Sequence, residues 1–410
     1  MTDLAAATAR WGAHDRDDPF PVMARLREGC PVHPVTLADG HAAWLVVGYD
    51  EARTALADPR LSKDMQAALA RDGEIVAEGL PGPALARHML NVDGADHTRL
   101  RRLVSAAFSP GRVEAMQPRI AAIVDDLLDG IAAGDPDQPV DLVASFAFPM
   151  PYTVICDLLG IHGDLRAAFG TELRALVDSD EHARAVAAAA AVIAMLDELV
   201  AAKRRAPADD LVSALIAARD GDERLSEQEL RSTIFQLVIA GHDTTTNLIG
   251  NGVVALHRHP DQLAAVLADP ERIVPAVEEV MRFDPPAHHA TFRYALEDLE
   301  VGSVTIPAGG QVLVGLAAAN RDPARFAAPD DLDVDRPDQR HIAFGHGIHH
   351  CLGARLARLE AREALGSLLR RFPRLRIAVP DDELRWSHGD GVVLRGLAEL
   401  PVVPGPEALT

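Results

Sequence analysis

Cysteine and lysine are scarce in this chain of 410 residues, which has three of the first and two of the second. The cysteines, Cys30, Cys156 and Cys351, are far apart and odd in number, so no disulfide framework is indicated and a reducing cytoplasm fits. The only lysines are Lys63 and Lys203, while arginine is abundant. We attribute that imbalance to genomic coding bias rather than to function.

The sequence also has little that would attach it to a membrane or to nucleic acid. Its first twenty residues contain no apolar segment of the signal-peptide kind. The longest apolar run, Ala185 to Leu196, is too short to span a bilayer. Positive charge is in deficit, with 40 Lys and Arg against 61 Asp and Glu, a net charge of −21. We expect a cytoplasmic protein with neither nucleic acid nor membrane as a partner.

No Pro/Gly/Ser-rich linker, repeat or low-complexity block divides the chain. The length alone would allow two or three domains, but without a boundary we predict one domain over residues 1–410. Helical spacing predominates, and a small β-rich edge is expected from about 30–60, 290–316 and 375–403. Hydrophobic residues at 48% and charged residues at 25% are typical of a soluble globular protein.

The stretch from His341 to Arg358 places one cysteine on a glycine-rich loop that runs into a helix. Its glycines, at 345, 347 and 353, permit positive φ and a close approach to a flat ligand. Helical spacing begins at Leu352 and continues through Leu356. Cys351 therefore lies at or just before a helix N-terminus, where unpaired N–H groups and the helix dipole favour a thiolate, which is a good iron ligand.

Two other interpretations of this loop remain open. A buried thiol is the commoner fate of a lone cysteine. A zinc site could instead combine Cys351 with His346, His349 and His350. The spacing argues against zinc, because adjacent histidines cannot easily both reach one tetrahedral ion and no second Cys or His pair follows.

The segment Phe344-Gly345-His346-Gly347-Ile348-His349-His350-Cys351-Leu352-Gly353 resembles the haem-binding loop of the cytochrome P450 monooxygenases, Phe-Gly-x-Gly-x-(His/Arg)-x-Cys-x-Gly. The resemblance implies that Cys351 is the axial thiolate of a haem b, one per chain. It implies that Phe344 and Gly345 lie beside the cofactor and that His349 hydrogen-bonds a propionate. The implied fold is mostly α with a minor β region, a single P450 domain with a long central helix over the haem and the cysteine loop beneath it.

A long helix is predicted between Ser226, which forms a capping box with Glu229, and Pro260. Its middle, Ala240-Gly241-His242-Asp243-Thr244-Thr245, is polar where a buried helix should be apolar. A polar stripe bordering buried water would explain this. Oxygen activation would explain it better, because that chemistry needs a gap, a hydroxyl and an acid that relays protons.

The same stretch resembles the family motif Ala-Gly-x-(Asp/Glu)-Thr-Thr. The resemblance implies that Asp243 relays protons, that Thr244 hydrogen-bonds dioxygen, and that Ala240 and Gly241 leave room beside the haem. His242 is expected to face away from the pocket.

Other charged residues fall at family positions. His97 and Arg101 are four apart and share a helix face, either as part of a solvated basic helix or as donors to a carboxylate. The resemblance assigns both, together with Arg293, to the haem propionates. Its Glu-x-x-Arg motif and a later arginine correspond to a structural ion network, formed here by Glu279, Arg282 and Arg336.

The substrate pocket is predicted less sharply. The loop-rich segment from Leu61 to Asp93 matches the part of the family fold that covers the pocket. For His288 and His289 an exposed loop position is at least as reasonable as a position in the pocket. The residues predicted to line the pocket are Leu90, Val238, Ala240, Ala287, His289 and Val393.

The chain most resembles soluble actinobacterial P450s related to macrolide and polyketide hydroxylases. The resemblance implies that one atom of O2 is inserted into a C–H bond or across a C=C bond of a bulky apolar molecule, such as a macrolide, polyketide, terpenoid or steroid. Electrons would come from an NAD(P)H-dependent ferredoxin reductase through a ferredoxin. A basic patch is predicted to dock the ferredoxin, formed by Arg355, Arg358 and Arg362 with Arg102 and Arg112.

Three other functions remain open for such a sequence. A haem-thiolate protein that binds a ligand without turnover would lack the acid and alcohol, so Asp243 and Thr244 speak against it. The same two residues favour the O2 route over a peroxide-driven one. A zinc-dependent hydrolase built on the histidine cluster is the third alternative.

Overall fold

The computed structural model describes residues 11, 18–64, 85–105, 108–178, 182–218, 224–387 and 392–408. The chain divides into two compact units. The first comprises residues 1–71, 118–150 and 244–410, and the second comprises residues 72–117 and 151–243.

Helices make up most of the described chain. They are α1 Phe20–Gly29, α2 Tyr49–Ala57, α3 Gly94–Ser105, α4 Pro110–Ala115, α5 Gln117–Ala132, α6 Pro149–Leu159, α7 Gly163–Asp178, α8 His182–Arg205, α9 Leu211–Ala217, α10 Glu227–Arg258, α11 Pro260–Ala268, α12 Ile273–Phe283, α13 Leu316–Asn320 and α14 Ala354–Arg371. Several begin at a proline, whose fixed φ suits a first turn and whose missing N–H is not needed there. Among the described residues, no helix is both long and apolar enough to cross a bilayer.

Among the described residues, the strands are short and all lie in the first unit. They are β1 Val32–Thr36, β2 Ala42–Val46, β3 Leu61–Ser62, β4 Val140–Asp141, β5 Arg293–Ala295, β6 Leu299–Val301, β7 Val304–Ile306, β8 Gln311–Val314, β9 Arg376–Ile377, β10 Trp386–Ser387, β11 Gly396–Leu397 and β12 Pro401–Val403.

The largest sheet has five strands in the order β1-β2-β8-β5-β3. β2 runs parallel to β8, with Leu45 opposite Leu313, and the other pairs are antiparallel. Buried side chains on one face of this sheet pack against Ala52 and Leu56 of α2 and against Leu316 of α13. The sheet therefore anchors α2, on which the cysteine loop rests.

Most predicted elements are confirmed, and the mostly helical class with minor sheets is correct. The long helix ends two residues before Pro260, and the predicted capping box forms in both directions. The Glu229 carboxylate accepts from the Ser226 N–H at 2.8 Å, and the Ser226 hydroxyl accepts from the Glu229 N–H at 3.2 Å.

Three predicted elements are wrong in their extent. Helical spacing over 113–131 predicts one helix, but the structure has two, because the first ends before Met116 and the second begins at Gln117, with Pro118 in its first turn. Helical spacing over 142–159 predicts one α-helix, but this stretch begins as a π-helix, Val143–Ala147, before α6 starts at Pro149. The strand predicted at 375–379 is reduced to Arg376–Ile377. The sequence Gly389-Asp390-Gly391 predicts a turn, which lies outside the described residues, as does most of the predicted pocket cover, residues 65–84.

Candidate active site

The cysteine loop is fixed against α2 by a glycine. Gly345 and Gly347 have φ of 73° and 75°, a region that side chains disfavour. A Cβ on Gly347 would lie 2.9 Å from the carbonyl oxygen of Leu56 and 3.0 Å from the Cα of Ala57, so only glycine fits against this backbone. The Cys351 N–H donates to the Phe344 carbonyl at 2.9 Å and closes the loop.

Cys351 is an exposed thiol three residues before α14 begins. A Cβ on Gly353, the N-cap residue of α14, would lie 4.0 Å from the cysteine Sγ, so the sulfur sits beside the first turn. The unpaired N–H groups of that turn favour a thiolate. The alternative in which Cys351 is a buried thiol is wrong.

A second group of side chains links the cysteine loop to α12 and α14. The Arg358 guanidinium lies 4.4 Å from the centre of the Phe344 ring and donates to Glu278 at 2.6 and 3.0 Å. His341 contacts the same carboxylate at 3.2 Å. Burial opposes ionisation of Glu278, but hydrogen bonds from His341 and Arg358 outweigh it and lower its pKa to about 2. Sequence reasoning missed Glu278, because a glutamate on an amphipathic helix is ordinarily solvated.

The structure brings Glu279, Arg282 and Arg336 together. Arg282 donates to both oxygens of Glu279 at 2.7 and 2.9 Å, and Arg336 donates to the same carboxylate at 3.0 Å. Glu279 and Arg282 are fully buried. The remaining guanidinium N–H groups donate to carbonyls, such as that of Pro329 at 2.7 Å, so a buried charge pair is saturated with hydrogen bonds. The network fixes the chain that leads into the cysteine loop.

The predicted propionate donors occupy ordered positions in both units. In the first unit, Arg293 is buried on β5, where its guanidinium donates to the Thr291 carbonyl at 3.3 Å, and His349 ends a single 3₁₀ turn just before the cysteine. In the second unit, His97 is buried in the first half of α3, and Arg101 follows one turn later on the same face. Within the first unit, the exposed Cys351 thiol, the Arg293 guanidinium and the His349 imidazole are of the chemical types that bind a haem iron and its propionates.

The middle of α10 is partly exposed within a helix that is otherwise mostly buried. Ala240 is exposed, and Asp243 and Thr244 are half-buried. A Cβ on Gly241 would lie 3.0 Å from the Ile155 side chain of α6, so this glycine permits two helices to pack closely. His242 is buried, with its Nε2 2.9 Å from the Asp243 carboxylate. The prediction that it faces away from the pocket overlooked this contact with the acid.

A buried carboxyl on α14 was also missed. Glu360 is 2% exposed, nine residues beyond Cys351, on the apolar stripe that includes Leu356. Burial raises its pKa to about 8, while a hydrogen bond with Thr245 of α10 acts in the opposite direction. Its place on that stripe, four residues after Leu356, was the available signal.

The residues predicted to line the pocket are placed as follows. Val238 is completely buried, whereas Leu90, Ala287 and Val393 are half-buried. His289 is buried edge-on against Trp11, and its Nδ1 lies 2.6 Å from the Val392 carbonyl. Their role in a pocket stays a prediction.

The alternative of exposed loop histidines at 288 and 289 is wrong. His288 is buried and contacts the Asp284 carboxylate at 3.0 Å. Arg395 donates to the same carboxylate at 2.7 Å. Burial opposes ionisation of Asp284, but Arg395 and His288 lower its pKa to about 2. The group is a buried ionic cluster in the core.

The zinc alternative finds no support in the geometry. Among the residues that the structure describes, which include the whole histidine cluster at 346–350, no group of three or more His, Cys, Asp or Glu is placed to hold a metal ion.

A family model described as Cytochrome P450 matches residues 172–394. The chain belongs to the cytochrome P450 family of haem-containing monooxygenases. It is 46% identical to Cytochrome P450 107B1 of Saccharopolyspora erythraea over 401 residues, 96% of each chain. It is also 46% identical to the cytochrome P450 monooxygenase PikC of Streptomyces venezuelae over 386 residues, 94% of this chain and 91% of PikC.

Solved structures agree with this assignment. The tirandamycin C-bound P450 monooxygenase TamI superimposes with a TM-score of 0.88 at 45% identity, covering 96% of this chain and 99% of TamI. The predicted resemblance to bacterial P450s related to macrolide and polyketide hydroxylases is therefore confirmed.

Proposed function

We propose that this protein binds one haem b through Cys351 and uses O2 and two electrons to hydroxylate or epoxidise a bulky apolar secondary metabolite. The observation that carries the proposal is the exposed Cys351 thiol at the start of α14, on a loop that a glycine fixes to the backbone of α2. A thiolate in that position is the ligand with which P450 proteins activate oxygen.

The residues around the cofactor have distinct proposed roles. When bound, the haem supplies the oxidation chemistry. His97, Arg101, Arg293 and His349 would hold its propionates by charge-assisted hydrogen bonds. The half-buried Asp243 carboxyl passes protons inward from water, and the Thr244 hydroxyl orients a hydrogen bond at the reacting side. Phe344, Gly345, Ala240 and Gly241 would contact the bound cofactor.

Relatives support the proposed substrate class. TamI is named as bound to tirandamycin C. A relative 42% identical over 384 residues, from Micromonospora griseorubida, is named Mycinamicin IV hydroxylase/epoxidase. We propose a bulky macrolide or polyketide, with terpenoids and steroids as further members of the class. Titration of the purified protein with such compounds should shift the haem Soret band when a substrate displaces the water ligand.

The electrons are proposed to come from a ferredoxin and an NAD(P)H-dependent ferredoxin reductase. Arg355 is exposed next to the cysteine loop and would attract an acidic partner to this face. Arg358, predicted as part of the same patch, is already paired with Glu278 and contributes less free charge. A cytoplasmic location is part of the proposal, and the three thiols of the chain suit a reducing compartment.

Replacement of Cys351 tests the proposal. The reduced wild-type protein with carbon monoxide should show the red-shifted Soret band of a thiolate-ligated haem. Cys351→Ser should lose that band, whereas Cys30→Ser, the same change at a half-buried thiol far along the chain, should keep it. A Cys351→Ser protein with the wild-type spectrum would contradict the proposed ligand.

A further inference from the structure

The ring of His242 is held in one orientation by its surroundings in the second unit. Its Nδ1 lies 2.7 Å from the carbonyl oxygen of Val238, one turn earlier in α10. Its edge packs on Tyr152 of α6, with ring centroids 5.6 Å apart and an interplanar angle of 71°. The Tyr152 hydroxyl donates in turn to the Arg166 carbonyl at 2.6 Å, and Gly170 leaves room for it. The imidazole therefore has little freedom to rotate.

The second nitrogen of this ring faces the proposed proton-relay acid. Nε2 of His242 lies 2.9 Å from Oδ1 of Asp243. Neighbouring residues on a helix ordinarily point apart, so this contact requires the Asp243 side chain to turn back toward the buried ring. The imidazole is 5% exposed and the carboxyl 30% exposed, so only the acid reaches water.

The hydrogen-bond partners of His242 define the protonation state of the His242–Asp243 pair. A carbonyl oxygen only accepts, so Nδ1 must carry a hydrogen. An ionised carboxylate also only accepts, so a proton must lie between Nε2 and Oδ1. The pair then holds one proton more than a neutral imidazole beside a carboxylate.

We infer that His242 is a positioning residue that orients the Asp243 carboxyl and stores the proton that Asp243 relays. The inference rests on the proposed monooxygenase function, in which Asp243 passes protons inward. When Asp243 gives up the proton, the buried imidazole returns to its neutral form with hydrogen on Nδ1, and the pair regains a proton from water at the exposed carboxyl. Only a proton moves, so no oxidant or further reactant is needed.

The groups that face the ring from neighbouring helices do not replace this pairing. Tyr152 presents its ring, and its hydroxyl is bonded elsewhere. Burial raises the pKa of Cys156, one turn along α6, to about 11, so that thiol is neutral near pH 7. Asp157 of α6 and Arg166 of α7 pair with each other at 2.6 Å.

The test measures the protonation of the His242 imidazole by NMR. Histidine labelled with ¹³C and ¹⁵N would be incorporated into the full-length protein, reduced and saturated with carbon monoxide so that the iron is diamagnetic. The His242 signal is assigned by its loss in His242→Gln. We expect it to report a shared or doubly protonated ring at pH 7. We expect its titration midpoint to fall by about one pH unit or more in Asp243→Asn.

His259→Gln is the matched control. Nδ1 of His259 also contacts a carbonyl four residues earlier, that of Ala255 at 2.7 Å, but its ring packs on Phe283. The His242 titration should be unchanged in this variant. A singly protonated His242 ring at pH 7, or a midpoint that Asp243→Asn does not move, would overturn the inference.

A second readout concerns turnover. The fraction of NAD(P)H electrons that reach product should fall with rising pH more steeply in His242→Gln than in the wild type, because the variant cannot store the proton. Superimposable pH profiles would overturn the inference. The NMR titration needs no turnover, and the carbon monoxide spectrum of the same sample reports the haem ligand, so failure of the proposed function would be seen separately.

Discussion

Glu360 makes the stability of this protein depend on pH. Its pKa is about 8 in the folded protein and near 4.5 in an unfolded chain. Between these values the unfolded state ionises and the folded state does not, so folding free energy is lost as pH rises. The loss from this one group is about 1.4 kcal/mol per pH unit. Glu360→Gln, which keeps the shape of the side chain, should therefore gain stability relative to the wild type between pH 5 and pH 8.

Denaturant unfolding of both proteins at pH 5, 6.5 and 8 measures this effect. Glu363→Gln, on the same helix and half-buried, is the control. A stability difference between Glu360→Gln and the wild type that does not grow with pH would show that the folded carboxyl ionises normally.

Thr244 is expected to govern the coupling of electron use to product. Thr244→Ala removes the proposed hydroxyl at the reacting side while leaving the helix intact, since alanine is the best helix former. NAD(P)H consumption should continue, and product per NAD(P)H should fall roughly tenfold, with peroxide formed instead. Thr246→Ala, two residues along the same helix at a buried position, is a suitable comparison. Full coupling in Thr244→Ala would refute the relay.

Some individual residues could be predicted from the sequence and others could not. Cys351, Asp243 and Thr244 break local rules visibly, because a thiol on a glycine loop and polar groups in a core helix carry a stability cost. Glu278 looks like an ordinary surface acid of an amphipathic helix, and only the packing, which depends on residues distant in sequence, reveals that it is half-buried. Glu360 lies on the apolar stripe of its helix, which is a signal of burial, but the sequence alone does not show that Thr245 is its partner.

Among the elements, the cysteine loop depends most on its glycines. Gly347→Ala combines a positive φ with a contact of 2.9 Å against the backbone of α2, which cannot move cheaply. Gly345→Ala has nearly the same φ, but its Cβ would have its nearest neighbour at 3.9 Å. Both variants should be destabilised by about 1 kcal/mol of backbone strain, and Gly347→Ala by more.

Thermal unfolding of the two alanine variants distinguishes the cost of backbone strain at positive φ, which both variants share, from the cost of the steric clash with α2, which only Gly347→Ala has. The melting temperature of Gly347→Ala should lie several degrees below that of Gly345→Ala. Equal melting temperatures would mean that α2 and the loop separate without cost.

Elements with strong boundary signals were predicted closely. The capping box and Pro260 define α10, and Asp284-Pro285 follows the end of α12 at Phe283. Short helices such as α9 and α13 were not predicted, since seven and five residues carry too little periodicity to distinguish helix from loop. The π-helix at 143–147 has no sequence signal that we recognise.

For the whole molecule, a net charge of −21 would disfavour the proposed association with an acidic ferredoxin, so we expect a local basic surface to offset that repulsion. Arg355→Glu should slow reduction by ferredoxin by roughly several-fold at low ionic strength, and the difference should shrink in high salt. Arg376→Glu, at an exposed position on β9, is the charge-matched control. Stopped-flow reduction rates that are the same for Arg355→Glu and the wild type at low salt would exclude docking at this residue.

The class of the molecule was predictable because its motifs occur in a fixed order along one chain. The strand order β1-β2-β8-β5-β3 was not, because β2 and β8 are separated by more than 260 residues and nothing local specifies their pairing. The resemblance to the P450 family predicted how the elements are arranged, whereas hydrophobic periodicity predicted only the individual helices and strands.

The fit between Gly347 and the end of α2 constrains how this protein could be recombined with its relatives. Residues 49–57 and 341–358 are distant in the gene, yet their backbones pack directly against each other. A crossover anywhere between them would therefore pair a helix from one parent with a loop from another. Chimeras that inherit both segments from the same parent should retain haem and be red when purified. Many chimeras that take the two segments from different parents should lose haem and be colourless.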